Sequence, residues 1–232
     1  MIGIAVPAHN EEAVLGACLA ALLAAARDPG LGGEAVAVLI VLDACDDDSD
    51  GVVQRHRPLF AAAGVTLDSI AIDERRVGAA RAAGACRLLS LGARWLAFTD
   101  ADTRVTPQWL AAQLALDADV VCGSVAVDDW SPHGDRADAL RAHFDGFYQD
   151  REGHRHIHGA NLGVDATAYR AAGGFAAVSC HEDVLLVKAL ERIGARFAWS
   201  ARPRVFTSAR RDARARDGFG DTLLRMLDSP LS

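Results

Sequence analysis

The sequence predicts an α/β fold in which a Rossmann-like, mostly parallel central sheet is flanked by helices. Short apolar runs alternate with helix-like segments through the first half of the chain, which is the pattern of βαβ units. The second run, "EAVAVLIVLDA", is continuously apolar, as in strands that are buried on both faces of a parallel sheet. Each of the first four runs also ends in polar, mostly acidic residues.

The first half of the chain predicts four strands joined by helices. The strands are "IGIAVPA", "EAVAVLIVLDA", "VTLDSIAI" and "WLAFTDA". The first helix follows the first strand and continues through Arg27, and Asn10 or a neighbour is placed to cap it. The other two helices run from about Ser49 to Ala63 and from Gly78 to Leu91. Because crossovers between parallel strands are right-handed, the carboxyl ends of these strands meet at one edge, where such sheets bind ligands.

The second half of the chain predicts a less regular set of elements. Helices are expected from Pro107 to Ala118, from near Asp165 to the stop at Gly173-Gly174, and from about Glu182 to Ile193. A strand is expected at "ADVVCGSVAV", another before Asp165 and a third after the last helix. Since no linker rich in Pro, Gly or Ser separates the halves, we expect a single domain over 1–232. Its lobes are about 1–105 and 106–208, and 209–232 is a tail.

Composition and charge exclude several classes of protein. The net charge of −7, from 24 basic and 31 acidic residues, argues against a general nucleic-acid binder. The five cysteines are widely spaced, contain no CxxC pair and fit reduced thiols in a cytoplasmic protein. We expect no signal peptide and no transmembrane segment, because no apolar run is long enough to span a bilayer.

Asp100 and Asp102, in "WLAFTDADTRV", follow the fourth predicted strand. Carboxylate oxygens are preferred by Mg²⁺ and Mn²⁺, which keep open positions for phosphate oxygens and water. The alternative is that Asp102 caps the helix beginning near Pro107, or that both residues solvate a turn. The pair alone does not decide between these interpretations. Its position as the fourth acidic strand end in succession favours a metal and phosphate site.

Other polar residues at the same predicted edge also have two interpretations. Asp43 is placed to accept a hydrogen bond from a pyrimidine imide, or else to form an Asx-turn or helix cap. The N–H groups near Gly78 are placed to bind an anion, and Arg75, Arg76 and Arg81 to neutralise a diphosphate. The alternative for these arginines is a solvated surface.

His181, Glu182 and Asp183 precede an amphipathic helix. The helix dipole favours an ionised carboxylate in the first turn, and an ionised, correctly placed carboxylate can act as a general base. These local features permit catalysis by Asp183 without requiring it. The run "HRHIHG" places three histidines at alternating positions, which is compatible with a metal site and more typical of a solvent-facing strand edge.

Five motifs in order resemble the family-two glycosyltransferases, which have the GT-A fold. They are "VPAHNEE", "VLDACDDDSD", "RRVGAARAAGA", "FTDADTRV", and "GANLGVDATAYRAAGGF" followed by "HEDVLLVKALERIG". The resemblance covers Ile2 to Ser208. It implies a nucleotide-binding lobe over about 1–105, an acceptor-binding lobe over about 106–208, and inverting, metal-assisted sugar transfer. The implied donor is a UDP- or GDP-sugar, and the implied cofactor is Mn²⁺ or Mg²⁺.

Carried over position by position, the resemblance implies a role for ten residues. Asp183 is the expected catalytic base, and Asp102 is the expected ligand of the divalent cation. Glu182 and His181 are expected near the acceptor or donor sugar. The expected nucleotide-binding residues are Pro7, Ala8, Glu11, Asp43, Arg81 and Asp100.

The sequence departs from the family pattern after the last core strand. Many relatives have a histidine there as a further metal ligand, whereas this chain has Thr207 and Ser208. The six arginines from Arg202 to Arg216 are compatible with closing over a diphosphate, with peripheral contact to an anionic membrane surface, or with a solvated helix. Two alternative functions remain open: a nucleotidyltransferase, and a catalytically silent nucleotide-binding protein on the same fold.

Overall fold

The computed structural model describes residues 1–178 and 180–211. Within this part of the chain, eight strands form one mixed sheet in the order β3-β2-β1-β4-β7-β6-β8-β5. The strands are β1 (Ile2–Ala8), β2 (Val36–Asp43), β3 (Thr66–Ile72), β4 (Trp95–Phe98), β5 (Arg104–Val105), β6 (Val120–Ala126), β7 (Leu162–Asp165) and β8 (Phe197–Phe206). The helices are α1 (Leu15–Ala26), α2 (Ser49–Ala62), α3 (Val77–Ser90), α4 (Trp109–Leu114), α5 (Ala137–Phe147), α6 (Ala166–Ala171) and α7 (Glu182–Arg192).

The first four strands form the predicted parallel half of the sheet. β1 lies between β2 and β4, and β2 also pairs with β3, all in parallel register. All eight residues of β2 are buried, as its continuously apolar sequence predicts. The carboxyl ends of these strands therefore share one edge of the sheet.

The second half extends the sheet with a change of direction. β7 pairs antiparallel with both β4 and β6, and β8 runs parallel to β6. β5 is a two-residue edge strand paired antiparallel with β8, and the sequence pattern did not predict it. Two residues are too few for the alternation by which a half-buried strand is recognised.

Two expectations about helices are corrected by the structure. Asn10 does not cap α1, because its side chain contacts Asp46 in the loop after β2, 2.5 Å from amide nitrogen to carboxylate oxygen. The cap position of α1 is Val14, which makes no side-chain hydrogen bond. The helix expected from Pro107 to Ala118 is reduced to α4, since its preceding residues form turns.

The core lies on both faces of the sheet. Alternate residues of β1 face opposite sides: Ile2 and Ile4 pack with α1, α2 and α4, whereas Ala5 packs with α3, α6 and α7. None of the described helices is long and apolar enough to cross a membrane, and the longest, α2 and α3, have 14 residues each.

The Arg-rich tail is only partly described. Arg202 and Arg204 lie on β8, so the interpretation of this part as a solvated helix is wrong. Arg204 forms an ion pair with Asp150. The part of the predicted 209–232 tail beyond residue 211 lies outside the described residues.

A buried amide links β6, β8 and α4 in the second half of the chain. Asn161 donates from its amide nitrogen to the carbonyl oxygens of Ser124 and Pro203, at 2.7 and 2.5 Å. Its amide oxygen accepts from Trp109 Nε1 at 2.8 Å. Gly123 leaves the space for this amide, because a Cβ at that position would overlap Asn161 and the Pro203 carbonyl.

We predict that Gly123→Ala lowers the free energy of unfolding by about 1–3 kcal/mol or more, because the added methyl group overpacks a closed space. The matched control is Gly146→Ala in α5, where a Cβ meets nothing within 4 Å. The control is expected to stabilise the protein by about 0.5–1 kcal/mol, since alanine favours a helix interior. Urea denaturation measures both, and equal effects of the two substitutions would contradict the prediction.

Candidate functional site

The predicted acidic pair lies in the turn that follows β4. The backbone N–H of Thr103 donates to the Asp100 carbonyl at 3.1 Å, which closes this turn. The Asp100 side chain is about one third exposed, whereas that of Asp102 is mostly buried. Asp102 does not cap α4, because the cap position of α4 is Gln108 and makes no side-chain hydrogen bond. That alternative for Asp102 is therefore excluded.

Arg81 brings two of the predicted site residues together. It lies on α3, it is only 4% exposed, and its guanidinium forms ion pairs with Asp100 and Glu182. The guanidinium also lies over the ring of Phe175, 6.0 Å from the ring centroid. Arg81 thus joins the end of β4 to the start of α7. The alternative of a solvated surface is wrong for this arginine.

A second arginine links two other predicted residues. Arg210 donates from Nη1 and Nη2 to the Glu11 carboxylate, at 2.7 and 2.8 Å, and its Nη2 lies 3.2 Å from Asp102 Oδ2. Glu11 is buried and its backbone N–H donates to Ser49 Oγ at 2.9 Å. In the sequence Arg210 is one member of a charge run, and no spacing there indicates a contact with Asp102.

Burial shapes the protonation of these acidic groups. The pKa of Asp102 is raised to about 6, chiefly by burial and further by Asp100 and Glu11, although Arg210 acts to lower it. Burial also raises the pKa of Glu182 above its ordinary value, against the lowering effect of Arg81. Both shifts follow chiefly from burial, which disfavours the charged form of a carboxyl group.

Asp183 is held by backbone groups beside the Arg81 network. Its Oδ2 accepts from the N–H of Gly159 at 2.8 Å, and its Oδ1 accepts from the N–H of Val184 at 2.8 Å. Gly159 lies against the Arg81 guanidinium so closely that a Cβ would overlap it. Sequence reasoning assigned Gly159 no role of its own, although Gly159 is the first residue of the motif "GANLGVDATAYRAAGGF".

Asp43 has a structural contact that the sequence did not reveal. Its carboxylate accepts from the backbone N–H groups of Glu74, Arg75 and Arg76, at 2.7, 2.8 and 3.0 Å. It therefore holds the loop between β3 and α3, and it does not cap the next helix. Gly78 is covered by the chain near Ala176, because a Cβ there would overlap the carbonyl oxygen of that residue.

The remaining predicted residues lie at the ends of their elements. Pro7 and Ala8 end β1, with Pro7 half-buried and Ala8 buried. His181 is exposed, with a φ of 59°, immediately before α7. The described contacts thus join Asp100, Glu182 and Arg81 in one group and Glu11, Asp102 and Arg210 in another. They do not join Asp43 or His181 to either group.

The three histidines of "HRHIHG" form a column of rings. The ring centroids of His154 and His156 are 5.5 Å apart, those of His156 and His158 are 6.0 Å apart, and His156 stacks on Tyr148 at 4.2 Å. Their nitrogens contact separate partners: Ser200 O, the backbone N–H of Gln149 and the hydroxyl of Tyr148. This arrangement does not direct the three rings at one cation.

Among the described residues, Glu11 and Asp102 bring two carboxylates to the same nitrogen of Arg210. No three His, Cys, Asp or Glu side chains of 1–178 and 180–211 converge as a metal centre. Two carboxylate oxygens do contact the same atom: Glu11 Oε1 and Asp102 Oδ2 both lie against Arg210 Nη2. Two carboxylates fit Mn²⁺ or Mg²⁺ when a diphosphate and water complete the coordination. The donor chemistry therefore fits, at a position that a guanidinium holds in this structure.

Comparison with protein families gives a match over most of the chain. The family described as "Glycosyl transferase family 2" matches residues 3–171. A comparison with curated proteins found no match.

Solved structures with a similar fold have low sequence identity. TarS 1–349 of S. aureus in complex with UDP has a TM-score of 0.66 at 14% identity, covering 100% of this chain and 67% of that one. The mannosyltransferase PcManGT from Pyrobaculum calidifontis, in complex with GDP-Man and Mn²⁺, has a TM-score of 0.64 at 18% identity, covering 92% and 58%. GalNAc-T7 with UDP, GalNAc and Mn²⁺ has a TM-score of 0.56 at 11% identity, covering 98% and 47%.

These likenesses confirm the predicted GT-A fold, with its mostly parallel central sheet flanked by helices. The chain spans between 42% and 67% of the length of the first four of these structures. Mn²⁺ is named for two of the compared proteins, PcManGT and GalNAc-T7.

We predict that Arg81→Met lowers the free energy of unfolding by about 3–5 kcal/mol, because it leaves the buried Glu182 carboxylate without its partner. The double variant Arg81→Met, Glu182→Leu is expected to recover part of this loss, since it removes the unpaired charge as well. Arg55→Met is the matched control: its ion pair with Asp48 is 61% exposed on both sides, so a change within about 0.5 kcal/mol is expected. Urea denaturation of all three variants measures these effects. A double variant with a lower free energy of unfolding than Arg81→Met would contradict the prediction.

We predict that His158 makes stability depend on pH below about 6.5. Burial, with His156 and His154, lowers the pKa of His158 from 6.5 to about 3. Between these two values the unfolded chain binds a proton that the folded protein does not, so stability falls as pH falls, by about 1.4 kcal/mol per pH unit.

The test compares the wild type with His158→Gln in urea at pH 8 and pH 5.5. At pH 8 neither state protonates this histidine, so the difference reports packing alone. At pH 5.5, one unit below the ordinary pKa, the wild type is expected to have lost about 1.4 kcal/mol more than the variant. An identical pH dependence of the two proteins would contradict the lowered pKa.

Proposed function

Because this chain belongs to Glycosyl transferase family 2, we propose that it transfers a sugar from a nucleotide-diphosphate sugar to an acceptor hydroxyl, with inversion at the anomeric carbon. The single observation that carries the proposal is the position of Asp183. It lies in the first turn of α7, its carboxylate is oriented by the Gly159 N–H, and the adjacent Glu182 is tied through Arg81 to the acidic turn after β4.

The proposed donor is a UDP- or GDP-sugar. Its nucleotide would lie at the carboxyl ends of the parallel strands, where α/β sheets bind ligands. Pro7, Ala8 and Asp43 stand at the ends of β1 and β2, and Asp100 follows β4 with part of its side chain exposed. Asp43 would act on the base pocket chiefly by holding the loop at residues 74–76. The UDP and GDP-Man complexes of TarS and PcManGT support this class of donor.

The proposed reaction is a single displacement. The acceptor oxygen forms a bond to the anomeric carbon as the bond from that carbon to the diphosphate oxygen breaks. Asp183 accepts the proton of the acceptor hydroxyl, and the diphosphate leaves with the electron pair and its negative charge. Backbone N–H groups hold both oxygens of Asp183, so the base needs little reorganisation before proton transfer. Glu182 is buried against Arg81 and would position the start of α7, while the exposed His181 would lie towards a sugar.

The proposed cofactor is Mn²⁺ or Mg²⁺, held by Asp102 and Glu11. When bound, such a cation would stabilise negative charge on the leaving diphosphate. Arg81 has a separate role in this proposal: it fixes Asp100 and Glu182 relative to each other, across the site.

For the domain organisation, we propose one unit in which residues 1–105 bind the nucleotide and residues 106–208 bind the acceptor.

We predict that Asp183→Asn lowers the transfer rate by about 10²–10⁴-fold, the usual contribution of a general base. Asparagine keeps an oxygen for the Gly159 N–H and cannot take the proton, so binding of UDP or GDP is expected to change little. The matched control is Asp145→Asn in α5, whose exposed carboxylate lies 3.7 Å from Arg141 at i,i+4 spacing. The control is expected to retain full transfer.

The measurement uses UDP- and GDP-sugars with a panel of sugar and alcohol acceptors, and NMR assigns the anomeric configuration of the product. Retained transfer by Asp183→Asn would refute the assignment of the base, and a product of unchanged configuration would refute inversion. Pyrophosphate release from a nucleoside triphosphate would indicate a nucleotidyltransferase instead. Nucleotide binding without transfer to any acceptor would indicate a silent binding protein.

A further inference from the structure

Arg210 holds two acidic side chains at the place where a cation would bind. Its guanidinium donates to both oxygens of Glu11, and one of the same nitrogens, Nη2, contacts Asp102 Oδ2. Three carboxylate oxygens thus face one positively charged group. A guanidinium in this position and a divalent cation bound to Glu11 and Asp102 exclude each other, because both need the same oxygens.

The segment that precedes Arg210 is anchored by Thr207 and Ala209. The Thr207 hydroxyl lies 2.9 Å from the Thr103 hydroxyl, next to Asp102, and the Thr207 N–H donates to the Ala126 carbonyl at 2.9 Å. Ala209 is buried in a small apolar cluster. The other buried members of that cluster are Trp130, Leu140 and Phe144. The backbone before Arg210 is therefore fixed, and the Arg210 guanidinium contacts the carboxylates of Glu11 and Asp102.

We propose that Arg210 competes with a divalent cation for the carboxylates of Glu11 and Asp102, and releases them when a nucleoside diphosphate binds. The inference rests on the proposed function, because it assigns the regulation of that same site. Without nucleotide, the guanidinium compensates two carboxylates that would otherwise be buried without a positively charged partner. A diphosphate offers the guanidinium a second bidentate anion, so Arg210 can exchange its partners without losing its charge compensation. Cation binding is then coupled to nucleotide binding.

The experiment measures Mn²⁺ binding without nucleotide, by calorimetry and by the Mn²⁺ EPR signal. Arg210→Gln is expected to bind Mn²⁺ about tenfold or more tightly than the wild type, because the competing cation is gone. Arg211→Gln is the matched control: it removes the same charge from an exposed side chain next to Arg210, and wild-type affinity is expected. Unchanged or weaker Mn²⁺ binding by Arg210→Gln, or no binding by either protein, would overturn the proposal.

A second variant guards against loss of folding in the first. Arg210→Lys keeps the charge without the planar fork that contacts both carboxylates, so its Mn²⁺ affinity is expected between those of the wild type and Arg210→Gln. If Arg210→Gln does not fold, tighter binding by Arg210→Lys supports the proposal, and affinity equal to or weaker than wild type refutes it. Circular dichroism and thermal unfolding confirm which variants are folded.

A separate arm adds UDP or GDP and tests the proposed function independently. In the wild type the nucleotide is expected to tighten Mn²⁺ binding about tenfold or more, and in Arg210→Gln this gain is expected to shrink. Failure of both nucleotides to bind any of the proteins would refute the proposed function, while the Mn²⁺ titration would still decide the competition. A nucleotide-dependent gain of equal size in both proteins would overturn the role of Arg210.

Discussion

The buried guanidinium of Arg81 is the interaction on which the rest of the site depends. A charge at 4% exposure is stable only when it is paired, and its partners come from two separate elements: Asp100 after β4 and Glu182 at the start of α7. The attraction that compensates the desolvated charge therefore also fixes the distance between the acidic turn and the helix that carries Asp183. Gly159 lies against the same guanidinium and donates to Asp183, so the carboxylate of Asp183 is positioned by the same buried charge.

The charged side chains of the site are not balanced, because carboxylates outnumber guanidinium groups. Two arginines, Arg81 and Arg210, pair with four acidic residues, and a fifth acidic residue accepts from Gly159, which lies against Arg81. These acidic residues are Glu11, Asp100, Asp102, Glu182 and Asp183. With all five ionised the group carries an excess of negative charge, and the raised pKa values of Asp102 and Glu182 are consistent with it. A diphosphate entering this group would be repelled unless a cation accompanies it, or unless Arg210 turns from the carboxylates to the phosphates.

The sequence predicted the parallel half of the fold well, because its determinants are local. Continuous apolar runs such as β2 indicate strands buried on both faces, and Asp165 caps α6 as an acidic residue at a helix start is expected to. Side-chain contacts between residues far apart in the sequence were harder to predict. Asn10 was expected at a cap and instead contacts the loop after β2, and Asp43 holds backbone N–H groups more than 30 residues away. Arg210, 199 residues from Glu11, looked like one member of a charge run.

The change of strand direction at β7 completes the site. Parallel strands deliver to the binding edge only the residues that follow them, as β4 delivers Asp100. β7 pairs antiparallel with β4, in the register that places Phe98 opposite Leu162, so the residues that precede β7 arrive at the carboxyl end of β4. Gly159 is one of these residues, and the antiparallel pairing therefore supplies the backbone N–H that orients Asp183. A fully parallel sheet would leave that donor at the opposite edge, and the Asp183 carboxylate would have no backbone partner outside its own helix.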